Sequence, residues 1–215
     1  ISHDRKVEIM DCKFDSSFLN DFPTPHHLSV EAYYRLFINK FLEDEKIIYL
    51  DSDLIVRGSL EELWKIKLEG FCIGAVSDDL FATHEGLGMN KGDKNFNSGV
   101  MLIDLKKWNE QFITEKCLEF VGKFRRNIQF ADQDALNSIL NRKWLELDPK
   151  FNVTNHFFEE KNKKHTILLR QNPLIVHFTG RSKPWHYGNK HPFKRQYWYY
   201  RNKTIYKSSL ADDFS

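Results

Sequence analysis

The chain has 215 residues, a formal net charge of +2, 29% charged residues and 14% aromatic residues, including 18 phenylalanines. That length suffices for one hydrophobic core and requires no second domain. The near balance of charge demands neither nucleic acid nor acidic lipid as the partner of the whole fold, and the aromatic content serves either a core or flat surfaces that stack on sugars and bases.

Cys12, Cys72 and Cys117 are widely separated, odd in number and outside any CxxC pattern, which is the usage of a reduced compartment. No apolar run approaches the roughly 20 residues that span a bilayer, and the opening ISHDRKVEIM lacks a signal-peptide profile. The expectation is a cytoplasmic protein.

In chain order, KVEIMDC at 6–12 has a β-like apolar run, and a polar stretch with two prolines, loop or short helix, follows over 14–29. Ser29 then stands where a cap would start a helix over 30–42, VEAYYRLFINKFL, whose apolar residues recur at roughly helical spacing. The run IIYLDSDLIV at 47–56 reads as a strand ending in carboxylates and a second short strand. Ser59 and Glu62 form a capping-box pattern for a short helix. FCIGAVSD reads as a buried strand, 80–94 as a surface loop, FNSGVMLIDL as a strand, 106–124 as one helix and ADQDALNSILN as another. LIVHFT is the last strand, followed by the basic, aromatic loop GRSKPWHYGNKH. The final stretch FKRQYWYYRNKTIY is either a helix packed on its own domain or an amphipathic arm on a membrane surface. Strands alternating with helices predict an α/β sheet, whose ligands bind beyond the carboxyl ends of the strands.

The polar residues at those ends carry the candidate chemistry. Asp51 and Asp53, one residue apart in extended chain, point to the same side and form a hard oxygen site for Mg²⁺ or Mn²⁺; the alternative is a pair of solvated or capping aspartates. His177 also closes an apolar run and could reach the same sheet edge, where imidazole suits Mn²⁺; otherwise it is a structural histidine. Gly180 to Trp185 offer backbone N–H groups and cations to a departing diphosphate, or are merely a basic turn. Asn97 could bond a sugar hydroxyl, and Asp132 and Gln133 could face a sugar ring, or these are a turn asparagine and a helix cap.

Four segments, HLSVEAYYRLFI, IIYLDSDLIVRGSLEELW, FNSGVMLIDLKKW with DQDALN, and HFTGRSKPWH, together resemble glycosyltransferase family 8 in order and content over 28–186. The resemblance implies a single GT-A type α/β domain over 1–190, with a mixed, mainly parallel sheet flanked by helices, and a helical tail over 191–215. It implies Mn²⁺, with Mg²⁺ as a substitute, held by Asp51, Asp53 and His177. Donor phosphates would meet Gly180 and Lys183, and Arg35 would lie near donor sugar and diphosphate. Asp78, with neighbouring Asp79 as the alternative alignment, would stand near donor sugar and acceptor. Asn97, Asp132 and Gln133 would line the sugar pocket, with Gln133, Asp132 and Asp78 as the catalytic candidates.

The implied reaction moves galactose or glucose, with retention, from a nucleotide diphosphate sugar, UDP-hexose foremost, to a hydroxyl of a glycan, glycolipid or glycoprotein. The basic aromatic tail would touch the inner face of a membrane. The family's fold opens with a strand that holds base and ribose; KVEIMDC resembles a later strand, so the expectation is that this N-terminal portion precedes residue 1. Two rival readings are a catalytically silent nucleotide-sugar-binding module and a Mg²⁺-dependent phosphatase with a D-x-D nucleophile, whose expected hydroxyl and lysine stations are missing.

Overall fold

The computed structural model describes residues 8–13, 15–24, 28–78, 85–158, 172–205 and 207. Among the described residues seven strands form two sheets. The larger has the order β1 (Lys46–Leu50), β4 (Phe96–Asp104), β3 (Ile73–Ser77) and β5 (Leu145–Glu146); the smaller has β2 (Leu54–Val56), β7 (Ile175–His177) and β6 (Val153–Thr154). Helices α1 (Glu61–Lys65), α2 (Leu105–Glu110), α3 (Ile113–Lys123), α4 (Asp132–Ile139) and α5 (Lys194–Arg201) flank them.

The mixed, helix-flanked α/β architecture matches the expectation, but the pairing is less parallel than expected. Among the described residues β4 runs antiparallel to both β1 and β3, and β2 antiparallel to β7; only β3 with β5 and β6 with β7 are parallel. The cause is β4, which passes between β1 and β3 against the direction of each.

β4 is buried from Phe96 to Ile103, and its alternation serves two cores at once. Met101 and Ile103 join Tyr33, Leu36, Phe37 and Trp108 beneath the helices, whereas Val100 and Leu102 pack on the opposite side with Leu63, Phe151 and Ile175. A third cluster, Ile55, Val176, Phe178 and Phe193, seats the start of the tail on the small sheet. There Tyr197 and Tyr200 of α5 pack against it, and Arg57 donates to Gln196 Oε1 at 2.8 Å.

Several local expectations change. The segment after Ser29 is a 3-10 helix over Val30–Lys40, and the Ser29 side chain makes no capping bond. Three residues per turn stack Tyr33 on Leu36, both fully buried. The cap of α1 is Leu60, and the Ser59 hydroxyl accepts from Glu61 N at 3.1 Å instead of forming a box with Glu62. The stretch read as one helix over 106–124 breaks into α2 and α3 at Phe112, which is left-handed at φ 53°. The break lets the indole of Trp108 donate to Thr114 Oγ1 at 2.9 Å, while that hydroxyl donates to Leu36 O at 2.6 Å.

The described part of the stretch read as a surface loop, 85–94, is packed: Leu87 and Met89 are buried, and Asp93 accepts from Asn90 N, Asn141 Nδ2 and Arg142 Nε. Residues 80–84 of that loop lie outside the described residues. So do residues 6 and 7 of the first predicted strand; the remainder, 8–12, is not a strand, and Ile9 and Met10 stand 90% and 61% exposed with no ladder partner among the described residues. No described helix is long and apolar enough to cross a membrane.

Thr114→Val keeps the shape at the helix break but strands the buried indole N–H. The expected cost is about 1–3 kcal/mol of unfolding free energy, read from urea denaturation, with little change in the folded far-ultraviolet spectrum.

Candidate active site

The turn Asp51–Asp53 is where the chain leaves the large sheet and enters the small one, since β1 pairs with β4 and β2 with β7. Its two ends are pinned: Asp51 N donates to Gly99 O at 2.8 Å, and Phe178 N donates to Asp53 O at 2.9 Å. His177 ends β7 opposite Leu54, so its imidazole arrives at the same seam. One ligand atom from each of Asp51, Asp53 and His177 lies within 4.8 Å of the others. His177 Nε2 is 3.0 Å from Asp53 Oδ1 and 3.6 Å from Asp51 Oδ2.

The space for this cluster exists because residue 99 has no side chain. A Cβ there would stand 2.1 Å from His177 Cε1 and 2.7 Å from Asp51 Oδ2, closer than any real contact. The backbone is free to approach because β4 slips register against β3: Ala75 faces Met101, yet Val76 faces Asn97, and Ser98 to Val100 bulge between them.

Two cations hold the carboxylates. Lys183 Nζ is 2.5 Å from Asp53 Oδ2 and also donates to Phe178 O. Burial works against the charge on Asp53, but the His177 ring and the Lys183 ammonium beside it hold its carboxyl well below the usual carboxylate range. Arg35 reaches inward from the 3-10 helix and makes three kinds of contact. It binds Asp51 Oδ1 and Asp132 Oδ2, both at 2.9 Å, donates to Ser98 O at 2.7 Å, and lies over the ring of Tyr49. Burial opposes its charge, and Asp132 and Asp51 more than offset that. Tyr49 donates to Asp51 Oδ1 at 2.8 Å.

Asp132 begins α4 and is buried, not a cap. Burial pushes its carboxyl up to about 6 against the pull of Arg35, with Asp51 adding to the rise. Gln133 Oε1 accepts from Ser98 N at 3.1 Å, so Asp132 and Gln133 both meet the bulge of β4. Asn97 reaches Asp78 Oδ2 at 3.5 Å. Asp79, the alternative alignment, lies outside the described residues. Gly180 stands apart from this web: it follows Thr179 in left-handed backbone at φ 83°, with Asn155 Nδ2 its nearest neighbour at 4.0 Å from a built Cβ.

Four residues that touch this cluster were missed in the sequence. Tyr49 carried a signal, since it lies two residues before Asp51 on the same face of a strand. Ser98 and Gly99 were seen only as neighbours of Asn97. Asn152, fully buried with Oδ1 3.0 Å from His177 Nδ1, had none, because its contacts come from 25 and 55 residues away.

Two carboxylates and an imidazole, converging over a residue that admits no side chain, fit a divalent metal ion. The family-model comparison agrees with that chemistry. The model for glycosyl transferase family 8 matches residues 2–189. This chain belongs to that family. It is 37% identical over 193 residues to general stress protein A of Bacillus subtilis, covering 83% of this chain and 67% of the relative. With the glycosyltransferase GlyF of Streptococcus pneumoniae it shares 31% over 208 residues, 92% of this chain and 50% of the relative. It therefore spans about half to two thirds of the length of these relatives.

Among solved structures, the galactosyltransferase LgtC, crystallised with donor and acceptor sugar analogues, superposes with a TM-score of 0.75 at 28% identity, over 86% of this chain and 71% of that one. The apo form of GlyE from Streptococcus pneumoniae gives 0.66 at 29%, over 79% and 42%. The fold is of the GT-A type, and the family is generally dependent on a divalent metal.

Gly99→Ala should push His177 and Asp51 apart, lowering Mn²⁺ affinity by at least about tenfold in calorimetric titration and stability by roughly 1–3 kcal/mol. Asp132 gives a pH dependence of opposite sign to most carboxylates. Its folded value, about 6, lies above the unfolded 3.8, so between them the folded chain holds a proton that the unfolded chain has released. This group's contribution to stability is present at low pH and lost as pH rises toward 6. Denaturant titrations from about pH 4 to about pH 7 should show the wild type losing stability relative to Asp132→Asn, whose position carries no proton to release.

Proposed function

We propose that the protein is a retaining hexosyltransferase that moves galactose or glucose from a nucleotide diphosphate sugar to an acceptor hydroxyl, using Mn²⁺ or, less well, Mg²⁺. The observation that carries the reading is the meeting of Asp51, Asp53 and His177 at the seam of the two sheets, flanked by Arg35 and Lys183, in a family 8 chain. Asp51, Asp53 and His177 would hold the ion. When bound, it supplies positive charge against the negative charge that builds on the departing diphosphate.

The chain's own groups do the rest. Lys183 and the backbone at Gly180 bind diphosphate oxygens, and Arg35 bridges the carboxylates and the sugar side of the site. Asn97, Asp132, Gln133 and Asp78 orient the sugar and the incoming hydroxyl. Gln133 is a poor nucleophile, and retention then calls for attack from the leaving-group face. The bond from C1 to the diphosphate oxygen breaks, the acceptor oxygen bonds C1 on that same face, and the acceptor's proton passes to the departing phosphate oxygen. Asp132 and Asp78 position hydroxyls during this exchange.

UDP is the favoured carrier, and a glycan or glycolipid the favoured acceptor. Exposed Trp185, Tyr187 and Tyr199, interspersed with Lys190, Lys194, Arg195 and Lys203, give the tail region the make-up of a surface that rests on the cytoplasmic leaflet.

The test is release of nucleoside diphosphate from a panel of nucleotide sugars with and without Mn²⁺. Asp53→Ala should lower metal-dependent release on the order of a hundredfold or more while the melting transition stays cooperative. Turnover unchanged by that substitution would remove the metal assignment. Release of inorganic phosphate instead would point to a phosphatase, and a donor-dependent rise in melting temperature without release would point to a binding module.

A further inference from the structure

The imidazole of His177 can carry its proton on either nitrogen, and only one choice leaves a lone pair on Nε2, the atom that faces Asp51 and Asp53. A chain of hydrogen bonds behind the ring makes that choice. It starts at a group whose polarity is fixed, the backbone N–H of Gly99 within the bulge. That N–H donates at 3.0 Å, so the Asn97 atom it meets is the oxygen, Oδ1. The same oxygen is 2.9 Å from the amide of Asn152, so Asn152 must present its nitrogen there. Its other amide atom, Oδ1, then points at His177 Nδ1 at 3.0 Å and can only accept. The proton is thereby held on Nδ1.

We infer that Asn152 is a positioning residue for the metal site: through Asn97 it reads the polarity of the Gly99 amide and fixes His177 with its Nε2 lone pair turned toward Asp51 and Asp53. Asn152 is fully buried, and Asn97 is 8% exposed, so water does not compete for these bonds. The relay also ties the ion site to the sugar side, because Asn97 uses its remaining Nδ2 on Asp78. This inference rests on the metal assignment above, but its first measurement does not need the ion.

Nitrogen-15 correlation spectra of the metal-free protein report which nitrogens of His177 carry protons. A proton on Nδ1 is expected in the wild type, and finding Nδ1 bare overturns the inference. Titration of Mn²⁺ into Asn152→Leu, followed by electron paramagnetic resonance of the free ion, should show a 10- to 100-fold weaker affinity, the range typical of lost outer partners of a ligating histidine. Unchanged affinity in a folded Asn152→Leu protein overturns it as well. Asn152→Asp keeps an acceptor for the Nδ1 proton and should keep the wild-type tautomer, whereas a switch to Nε2–H in that variant would count against the relay. A wild type with the Nδ1–H tautomer but no Mn²⁺ binding would sink the metal assignment and, with it, the positioning role.

Discussion

Everything at this site depends on β4 failing to stay in register with β3. A regular ladder from Ala75 to Asp78 would have set Val100, Gly99 and Ser98 opposite the neighbouring strand. Instead these residues bulge, and the bare backbone of Gly99 comes close enough to His177 and Asp51 that even a methyl group would collide. Two backbone N–H groups of the bulge bond side chains. Gly99 N–H goes to Asn97, and Ser98 N–H goes to Gln133. Ordinary strand geometry on the β1 side, where Leu50 faces Val100, keeps the seam fixed while the other side opens.

Around that seam the charges are paired before any substrate arrives. Arg35 is held between Asp51 and Asp132, and Lys183 sits on Asp53. Ion pairs so deeply buried add little net stability, because removing charges from water costs about as much as their attraction returns. Their value lies in position. Arg35 joins the 3-10 helix, the end of β1, the bulge and the start of α4, so four separate segments are placed by one guanidinium.

The sequence showed the acidic strand end, the imidazole strand end and the helix bearing Asp132 and Gln133, because each is a local pattern of polar residues closing an apolar run. It did not show how they are joined. Asn152 and Asn97 are 55 residues apart, and no period or spacing marks either as half of a pair. Helix type was equally hidden: the apolar spacing of 30–40 suits three residues per turn nearly as well as 3.6, and tertiary packing of Tyr33 and Leu36 decides between them. Likewise the apolar pattern runs unbroken through Phe112, and only the bonds joining Trp108, Thr114 and Leu36 explain why the helix stops there. The direction of β4 was not legible either, because alternation of strands and helices says nothing of how that strand is laid against β1 and β3.

The contact between the tail and the small sheet bears on where this chain could be shortened. Phe193 fills a cluster with Ile55, Val176 and Phe178, and the last two flank His177 in sequence. Arg57 lies over the Phe193 ring and bonds Gln196, clamping the first turn of α5 to the end of β2. A truncation placed before Phe193 would wet the back of the strand that presents the imidazole, so loss of metal affinity in such a fragment would report a loosened support and not a missing ligand.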